Sequence, residues 1–209
     1  MAMPRKMKTL SGSRMRFIWD YVRDRQPPAI RWVHLAILCL VLNQFIVSDF
    51  MGFGPHDVIS RHPIAYYGTW IHICGGLTLI PLTVVFILIE LQHHGPAYFF
   101  GYLCGHFSQL KNDIRQLSRF KLPEPRAQGL AVVVQGLGMG ALMLVLAAGF
   151  IWFLAWIGGA PWENTAKEFH KASTALIELY VLGHGGMGVI HLLYQRMNAR
   201  TESDEVKQD

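Results

Sequence analysis

Residues 168–195, EFHKASTALIELYVLGHGGMGVIHLLYQ, form a mostly apolar run of helix length with histidines at positions 170 and 184. These histidines are fourteen positions apart, a separation that rises about 21 Å in an α-helix and returns to nearly the same face. Two imidazoles therefore stand on one stripe of one helix, at two depths of a hydrocarbon layer about 30 Å thick. Several glycines surround the second histidine and remove side chains from the space beside it. We predict a helix that holds two bulky, flat, histidine-ligated groups.

The composition indicates a membrane protein. The 209 residues are 52% hydrophobic and only 16% charged, which is more apolar than an ordinary soluble domain. Four windows are nearly free of charge, at 32–48, 63–89, 129–162 and 172–195. Each window approaches the roughly 20 residues that a spanning helix needs. We predict an all-α integral membrane fold whose core is a bundle of four transmembrane helices.

The basic residues predict the orientation of this bundle. Sixteen of the 19 Lys and Arg residues lie before the first window, between the second and third, or after the fourth. By the positive-inside rule, both termini are cytoplasmic. Topology and anionic lipid account for the net charge of +5, so a nucleic-acid partner is not expected. No apolar segment with a cleavage site precedes the first window, so no cleavable signal peptide is expected.

The chain is predicted to have one membrane domain between two polar ends. Residues 1–28 form a basic cytoplasmic arm, residues 29–197 the four-helix domain, and residues 198–209 a disordered cytoplasmic tail. Between the second and third windows, aromatic and aliphatic residues, among them Phe99, Ile114 and Leu117, recur at near-helical spacing among basic ones. That pattern predicts an amphipathic helix on the cytoplasmic membrane surface.

Three of the four windows carry a histidine, and their depths match in pairs. His72 and His170 both lie near the outer loops, and we call them the outer pair. His34 and His184 lie further toward the cytoplasmic side, and we call them the inner pair. Side chains that project from facing helices into a bundle core are how such bundles build cofactor sites.

His191 is an alternative to His184 in the inner pair. It lies seven residues further along nearly the same face. Its separation from His170 exceeds what the depths of the first two windows allow, and bulky aliphatic residues flank it instead of glycines. We therefore assign His184, and His191 stays the competitor.

Paired histidines with no Cys, Asp or Glu at the same level fit haem iron with two axial imidazoles. Zinc requires further protein ligands, and no C-x-x-C-H motif is present for covalent haem attachment. We expect two non-covalent haem b groups. Residues expected beside these haems are Arg31, Gly75, Gly76, Gly183, Gly185 and Gly186.

Glu178 is the one acidic residue deep in the last window. It is turned away from the histidine stripe, so it is not an expected ligand. An intramembrane carboxylate is a functional candidate, here for proton transfer to or from a quinone. A protonated, hydrogen-bonded structural role is the alternative.

The predicted spans carry one histidine in the first, one in the second, none in the third and two that are fourteen residues apart, His170 and His184, in the fourth. This distribution resembles the prokaryotic cytochrome b561 superfamily. It is most similar to the di-haem membrane subunits of the formate dehydrogenase and nickel–iron hydrogenase type. The resemblance covers roughly residues 31–195. It implies that His34 and His184 ligate a cytoplasmic-side haem, and that His72 and His170 ligate a periplasmic-side haem.

We therefore expect a di-haem b-type cytochrome of the bacterial inner membrane that transfers electrons between the quinone pool and a redox partner. The resemblance implies the membrane anchor and electron-transfer subunit of a respiratory oxidoreductase, with an iron–sulfur or cytochrome subunit on the periplasmic side. A free-standing superoxide:quinone oxidoreductase is one alternative. A small membrane transporter or metal-handling channel is the other.

Overall fold

A computed structural model of the chain describes residues 28–54, 58–119, 121–123 and 126–205. The basic arm, residues 1–27, lies outside the described residues. Within these ranges the chain forms six α-helices and no β-strand. The helices are α1 (Pro28–Ser48), α2 (Pro63–His94), α3 (Pro96–Phe100), α4 (Ser108–Leu117), α5 (Leu130–Ile157) and α6 (Glu163–Glu205). A 3₁₀ turn, Gly101–Cys104, joins α3 to α4.

Three of the helices, α1, α2 and α5, are long and apolar enough to cross a membrane, so the chain is a membrane protein. The fourth predicted span lies within α6, which is not among the three.

All four long helices contribute to one apolar core. α1 packs along α2, α2 packs against α5, and α5 packs along α6. The core combines buried side chains of each helix: Ile37, Val41, Leu79, Val145, Leu146 and Ile177. Close contact between α6 and the α1–α2 pair is sparse, so space remains between them. The core residue Ile177 lies midway between His170 and His184 on α6, and the core therefore separates the two histidine levels.

The outer surfaces of the long helices are apolar as well. Leu179 and Leu182 on α6 are 71% and 74% exposed, and Ile46 on α1 is 61% exposed. Exposed aliphatic surface on this scale is unusual for a soluble protein and suits contact with lipid.

The amphipathic helix between the second and third windows is shorter than the sequence pattern predicts. Gly95 and Gly105 have φ values of 77° and 80°, in the left-handed region, and they divide the segment because such backbone geometry ends a helix. Phe99, expected at the membrane surface, is 1% exposed and packs against α5 with Val132 and Met139. Only α4 retains the amphipathic pattern, with Ile114 and Leu117 exposed beside basic residues.

Helix α6 is longer than the sequence predicts. It runs to Glu205, into the segment 198–209 that was expected to be a disordered tail. Residues 206–209 lie outside the described residues.

Asp113 on α4 anchors the start of α5. The residue is 1% exposed, its Oδ2 accepts a hydrogen bond from the Leu130 amide at 2.8 Å, and its Oδ1 accepts one from Gln109 Nε2 at 2.7 Å. A carboxylate at a helix N-terminus satisfies an amide that has no partner within the helix and interacts favourably with the helix dipole. The surface helix is thereby fixed to the bundle.

We expect Asp113→Ala to destabilise the fold by about 1–3 kcal/mol, because it leaves the partly buried Leu130 amide without its acceptor. Thermal unfolding in detergent, followed by circular dichroism, measures the effect. Asp113→Asn keeps an acceptor oxygen and should cost less. Equal unfolding temperatures for the alanine variant and the parent protein would contradict this role.

Candidate functional site

The two outer histidines face each other across the space between α2 and α6. The ring centroids of His72 and His170 are 6.3 Å apart, with an interplanar angle of 77°. His72 lies in the third turn of α2, and His170 lies in the second turn of α6. Both residues lie near the start of their helix, and α2 and α6 run in the same direction, so both rings lie at the same end of the bundle.

The two inner histidines face each other in the same way, from α1 and α6. The ring centroids of His34 and His184 are 6.4 Å apart, with an interplanar angle of 51°. His191 instead places its Nδ1 3.0 Å from the Met187 carbonyl oxygen, one turn back on its own helix. The ring facing His34 is therefore that of His184, the residue that the sequence reasoning preferred.

Both separations fit one metal ion held between two rings. With metal–nitrogen bonds of about 2 Å on each side, the centroids of two opposing imidazoles lie about 6 Å apart. Among the described residues, no group of three or more His, Cys, Asp or Glu side chains could hold a metal ion. Each pair could supply two imidazole nitrogens, which is the number that haem iron takes from a protein when the porphyrin provides the other four.

A cavity of about 520 Å³ lies at the outer pair. Both outer histidines and side chains from all four long helices line it, and most of its wall is apolar. Volumes of roughly 300–1,000 Å³ with apolar walls and few polar groups are typical of cofactor sites. The residues present at the outer level therefore fit a large, flat, apolar group.

Helix α5 holds His170 in position. The Nδ1 atom of His170 lies 3.0 Å from the Val145 carbonyl oxygen, and the indole of Trp152 lies 5.8 Å from the ring. A ligand histidine that donates Nδ1–H to a carbonyl keeps Nε2 free for a metal and fixes the orientation of the ring. Gly149 provides the room, because a Cβ there would lie 2.8 Å from His170 Cε1.

We expect Gly149→Val to reduce binding of haem at the outer level while the inner level stays occupied, because the new side chain displaces the His170 ring. Gly140→Val is the matched control on the same helix, since a Cβ at Gly140 meets no atom within 4 Å. Haem content and absorption spectra of the two purified variants measure the difference. Equal haem content in both would contradict this role for Gly149.

Gln44 on α1 holds the other outer histidine. With its NH₂ group toward His72, Gln44 donates to His72 Nδ1 at 2.9 Å and to the His72 carbonyl oxygen at 3.1 Å, and its oxygen accepts from the Gly76 amide at 3.2 Å. Binding of a metal at His72 Nε2 requires the opposite arrangement at Nδ1, in which Nδ1–H donates to the Gln44 oxygen. Gly75 leaves room for this amide rather than for a cofactor. Gly76 lines the cavity, and a Cβ at Gly76 would meet nothing within 4 Å.

Aromatic rings support the inner pair. Tyr180 stacks on His184 with a centroid distance of 5.0 Å and an interplanar angle of 16°. The Tyr180 ring fits over Gly138 of α5, where any Cβ would collide with it. Phe86 lies 5.5 Å from His34. Open space surrounds the predicted cofactor-binding glycines of α6, since a Cβ at Gly183, Gly185 or Gly186 would meet nothing within 4 Å.

The charged residues near the histidines divide between the two levels, with Arg31 close to the inner pair and the others at the outer cavity. Arg31 is one turn before His34 on α1, and its Nε and Nη1 atoms are buried. Glu178 lines the outer cavity although its side chain is exposed. Lys167 and Lys171 also line that cavity. The Lys167 ammonium lies 4.9 Å from the Phe53 ring centroid, and Lys171 bonds to Glu168 at 3.1 Å.

The sequence reasoning missed several residues around the histidines. Gln44, Val145, Gly149 and Tyr180 contact the ligand candidates, yet none of them was assigned to the site. Gly149 had a usable signal, since it is the only glycine between Gly140 and Gly158 in the third window.

Residues 25–200 match the family model for prokaryotic cytochrome b561. The chain belongs to the prokaryotic cytochrome b561 family. Comparison with curated proteins and with solved structures gave no match. This cytochrome b561 family member is accordingly a b-type haem protein of the membrane that transfers electrons. The family membership predicted from the histidine pattern is confirmed.

Proposed function

We propose that this protein spans the bacterial inner membrane four times, with both termini in the cytoplasm. Helix α6 supports a fourth span because it contributes Ile177 to the same core as the other three helices and presents exposed aliphatic residues on its outer face. The concentration of Lys and Arg at one side supports the orientation.

Two haem b groups are bound within this bundle. His34 and His184 are the ligands of the cytoplasmic-side haem, and His72 and His170 are the ligands of the periplasmic-side haem. The single observation that carries this proposal is the pair of matched ring separations, 6.4 Å and 6.3 Å, at two levels of one bundle. A transporter or metal-handling channel does not require two such pairs.

When bound, the haems supply one-electron chemistry between ferrous and ferric iron. The chain's own residues orient the ligands, exclude water and balance charge. Val145 and Gln44 contact the Nδ1 atoms of the outer pair. Lys167 and Lys171 at the outer cavity, and Arg31 near the inner pair, are suited to neutralise haem carboxylates.

The protein transfers electrons between the quinone pool and a redox partner. We propose that it is the membrane anchor subunit of a respiratory oxidoreductase, with an iron–sulfur or cytochrome subunit on the periplasmic side. Two haems at different depths support this role, because they provide an electron path between the two faces of the membrane.

Anaerobic mixing of the oxidised protein with a short-chain quinol tests the function. We expect the absorption bands of reduced b-type haem to appear, and we expect a quinone-site inhibitor to slow their appearance. Protein that binds haem but exchanges no electrons with any quinol would contradict the quinone role. Reduction by superoxide without a partner subunit would contradict the anchor role and favour a free-standing oxidoreductase.

A further inference from the structure

Glu90, near the end of α2, is a buried carboxylate that neither histidine pair uses. The residue is 4% exposed, and its Oε2 lies 3.3 Å from Nδ1 of His94, one turn further along the helix. The neighbouring residues Ile87 and Leu91 pack in the apolar cluster around Phe99. A buried carboxylate in such surroundings is costly and is a candidate for function.

His94 connects Glu90 to water. The side chain of His94 is 42% exposed, whereas that of Glu90 is 5% exposed. Tyr98 of α3 stacks on the His94 ring with a centroid distance of 4.8 Å, and this contact holds the ring beside the carboxylate. Burial, and then the charge of Glu90, raise the pKa of Tyr98, so the phenol stays neutral and does not compete for the proton.

The carboxylate also lies near the depth of the inner pair. Phe86, one turn before Glu90, contacts His34 across the α1–α2 interface. Gln44 lies opposite Gly76 in the same antiparallel interface, so the register places Arg31 at about the level of Glu90. The protein between the inner pair and Glu90 is apolar, and electrostatic interactions are strong in such surroundings. A change of charge at the inner pair therefore affects the protonation of Glu90.

Within the part of the chain that the structure describes, few other charged or titratable groups surround Glu90. On its own helix they are His94 and His93, and the Nδ1 atom of His93 bonds to the Ile89 carbonyl oxygen at 2.8 Å. Tyr98 lies on α3, and Arg31 lies on α1. Helix α5, which packs against α2, carries no titratable residue along its whole length. Glu90 is thus the group best placed to change protonation with the charge of the inner site.

We propose that Glu90 takes up one proton when the inner haem gains one electron, and that His94 delivers this proton from cytoplasmic water. The electron comes from the quinol or the partner subunit and reduces ferric to ferrous iron, while the Glu90 carboxylate becomes a carboxylic acid. Oxidation of the iron returns the proton along the same path. This inference rests on the proposed function, because it requires a haem at His34 and His184.

Redox titration of the full-length protein in detergent, at several pH values near neutrality, tests the proposal. Because reduction is coupled to proton uptake, the midpoint potential of the inner haem should fall as pH rises. Glu90→Gln keeps the shape and the polar contact but cannot gain a proton, so the pH dependence of the inner haem should be lost. Glu90→Asp should retain it. The outer haem is the internal control, because the pH dependence of its midpoint potential should be the same in the Glu90 variants as in the parent protein.

Two further variants sharpen the test. Glu178→Gln, which changes an exposed carboxylate of the outer cavity, should leave the pH dependence of the inner haem intact. His94→Gln should keep the equilibrium pH dependence but slow proton uptake after rapid reduction by about tenfold or more, whereas His93→Gln should not. Proton uptake is followed with a pH-indicator dye.

Three results would overturn the inference while two haems are bound: a pH-independent inner haem in the parent protein, unchanged pH dependence in Glu90→Gln, or loss of the dependence in Glu178→Gln alone. If Glu90→Gln does not retain haem, Glu90→Asp and His94→Gln decide the question. A protein that lacks an inner haem would instead contradict the proposed function, so the two failures are distinguishable.

Discussion

Replacement of His184 by alanine is expected to halve the haem content, from two haems per chain to one, and to leave the outer haem in place. The reason is that His184 is the α6 residue whose ring faces His34 at 6.4 Å, and a bis-histidine iron that loses one axial ligand is held weakly. His34→Ala should remove the same haem. Pyridine haemochrome quantification and reduced-minus-oxidised spectra of the purified variants measure the loss.

The matched control is His191→Ala. His191 lies on the same helix, is also partly buried, and bonds to the Met187 carbonyl oxygen at 3.0 Å. Its replacement should keep both haems. If His191→Ala loses a haem and His184→Ala keeps two, the assignment of the inner ligand is wrong.

Replacement of His170 by alanine is expected to remove the other haem. His170 faces His72 at 6.3 Å across a cavity of about 520 Å³, and no other histidine of the described α6 residues lies at that level. His72→Ala should give the same spectrum, with only the inner haem remaining. The double variant His72→Ala/His170→Ala should lose no more haem than either single variant, since both residues serve one iron.

His62→Ala is the control for the outer pair, because His62 is exposed at the start of α2 and should not affect haem content. Loss of both haems in His170→Ala, with an intact helical signal by circular dichroism, would mean that the two sites do not bind independently.

Charge segregation and histidine spacing were sufficient to predict a helical membrane protein and its family. Residues 170 and 184 return to one face of one helix whatever surrounds them, and this periodicity is a local property of the chain. The ligand roles of His34, His72, His170 and His184 stay predictions. The structure adds that their rings lie together in two pairs.

The residues that hold the histidines could not be predicted in the same way. Gln44 contacts His72, and Gly149 contacts His170, only because α1 and α5 have a particular rotation and axial shift relative to α2 and α6. A single sequence does not specify these interhelical relations, which depend on packing over the whole bundle. The burial of Glu90 likewise depends on interhelical packing.

The amphipathic segment shows a different limit of pattern reasoning. Phe99 fits a helical stripe that would face lipid, yet it packs against α5, where Gly136 leaves space for it. The left-handed backbone at Gly95 and Gly105 divides the stripe into short pieces. Periodicity predicts which residues share a face of a continuous helix, and it fails where glycines interrupt that helix.

The most direct test of the central claim is the ratio of haem to protein in the purified full-length chain. Pyridine haemochrome analysis, together with an independent protein assay, should give two non-covalent haem b groups per chain. A ratio of one, or protein without haem after expression with sufficient haem supply, would contradict the claim that both histidine pairs ligate iron.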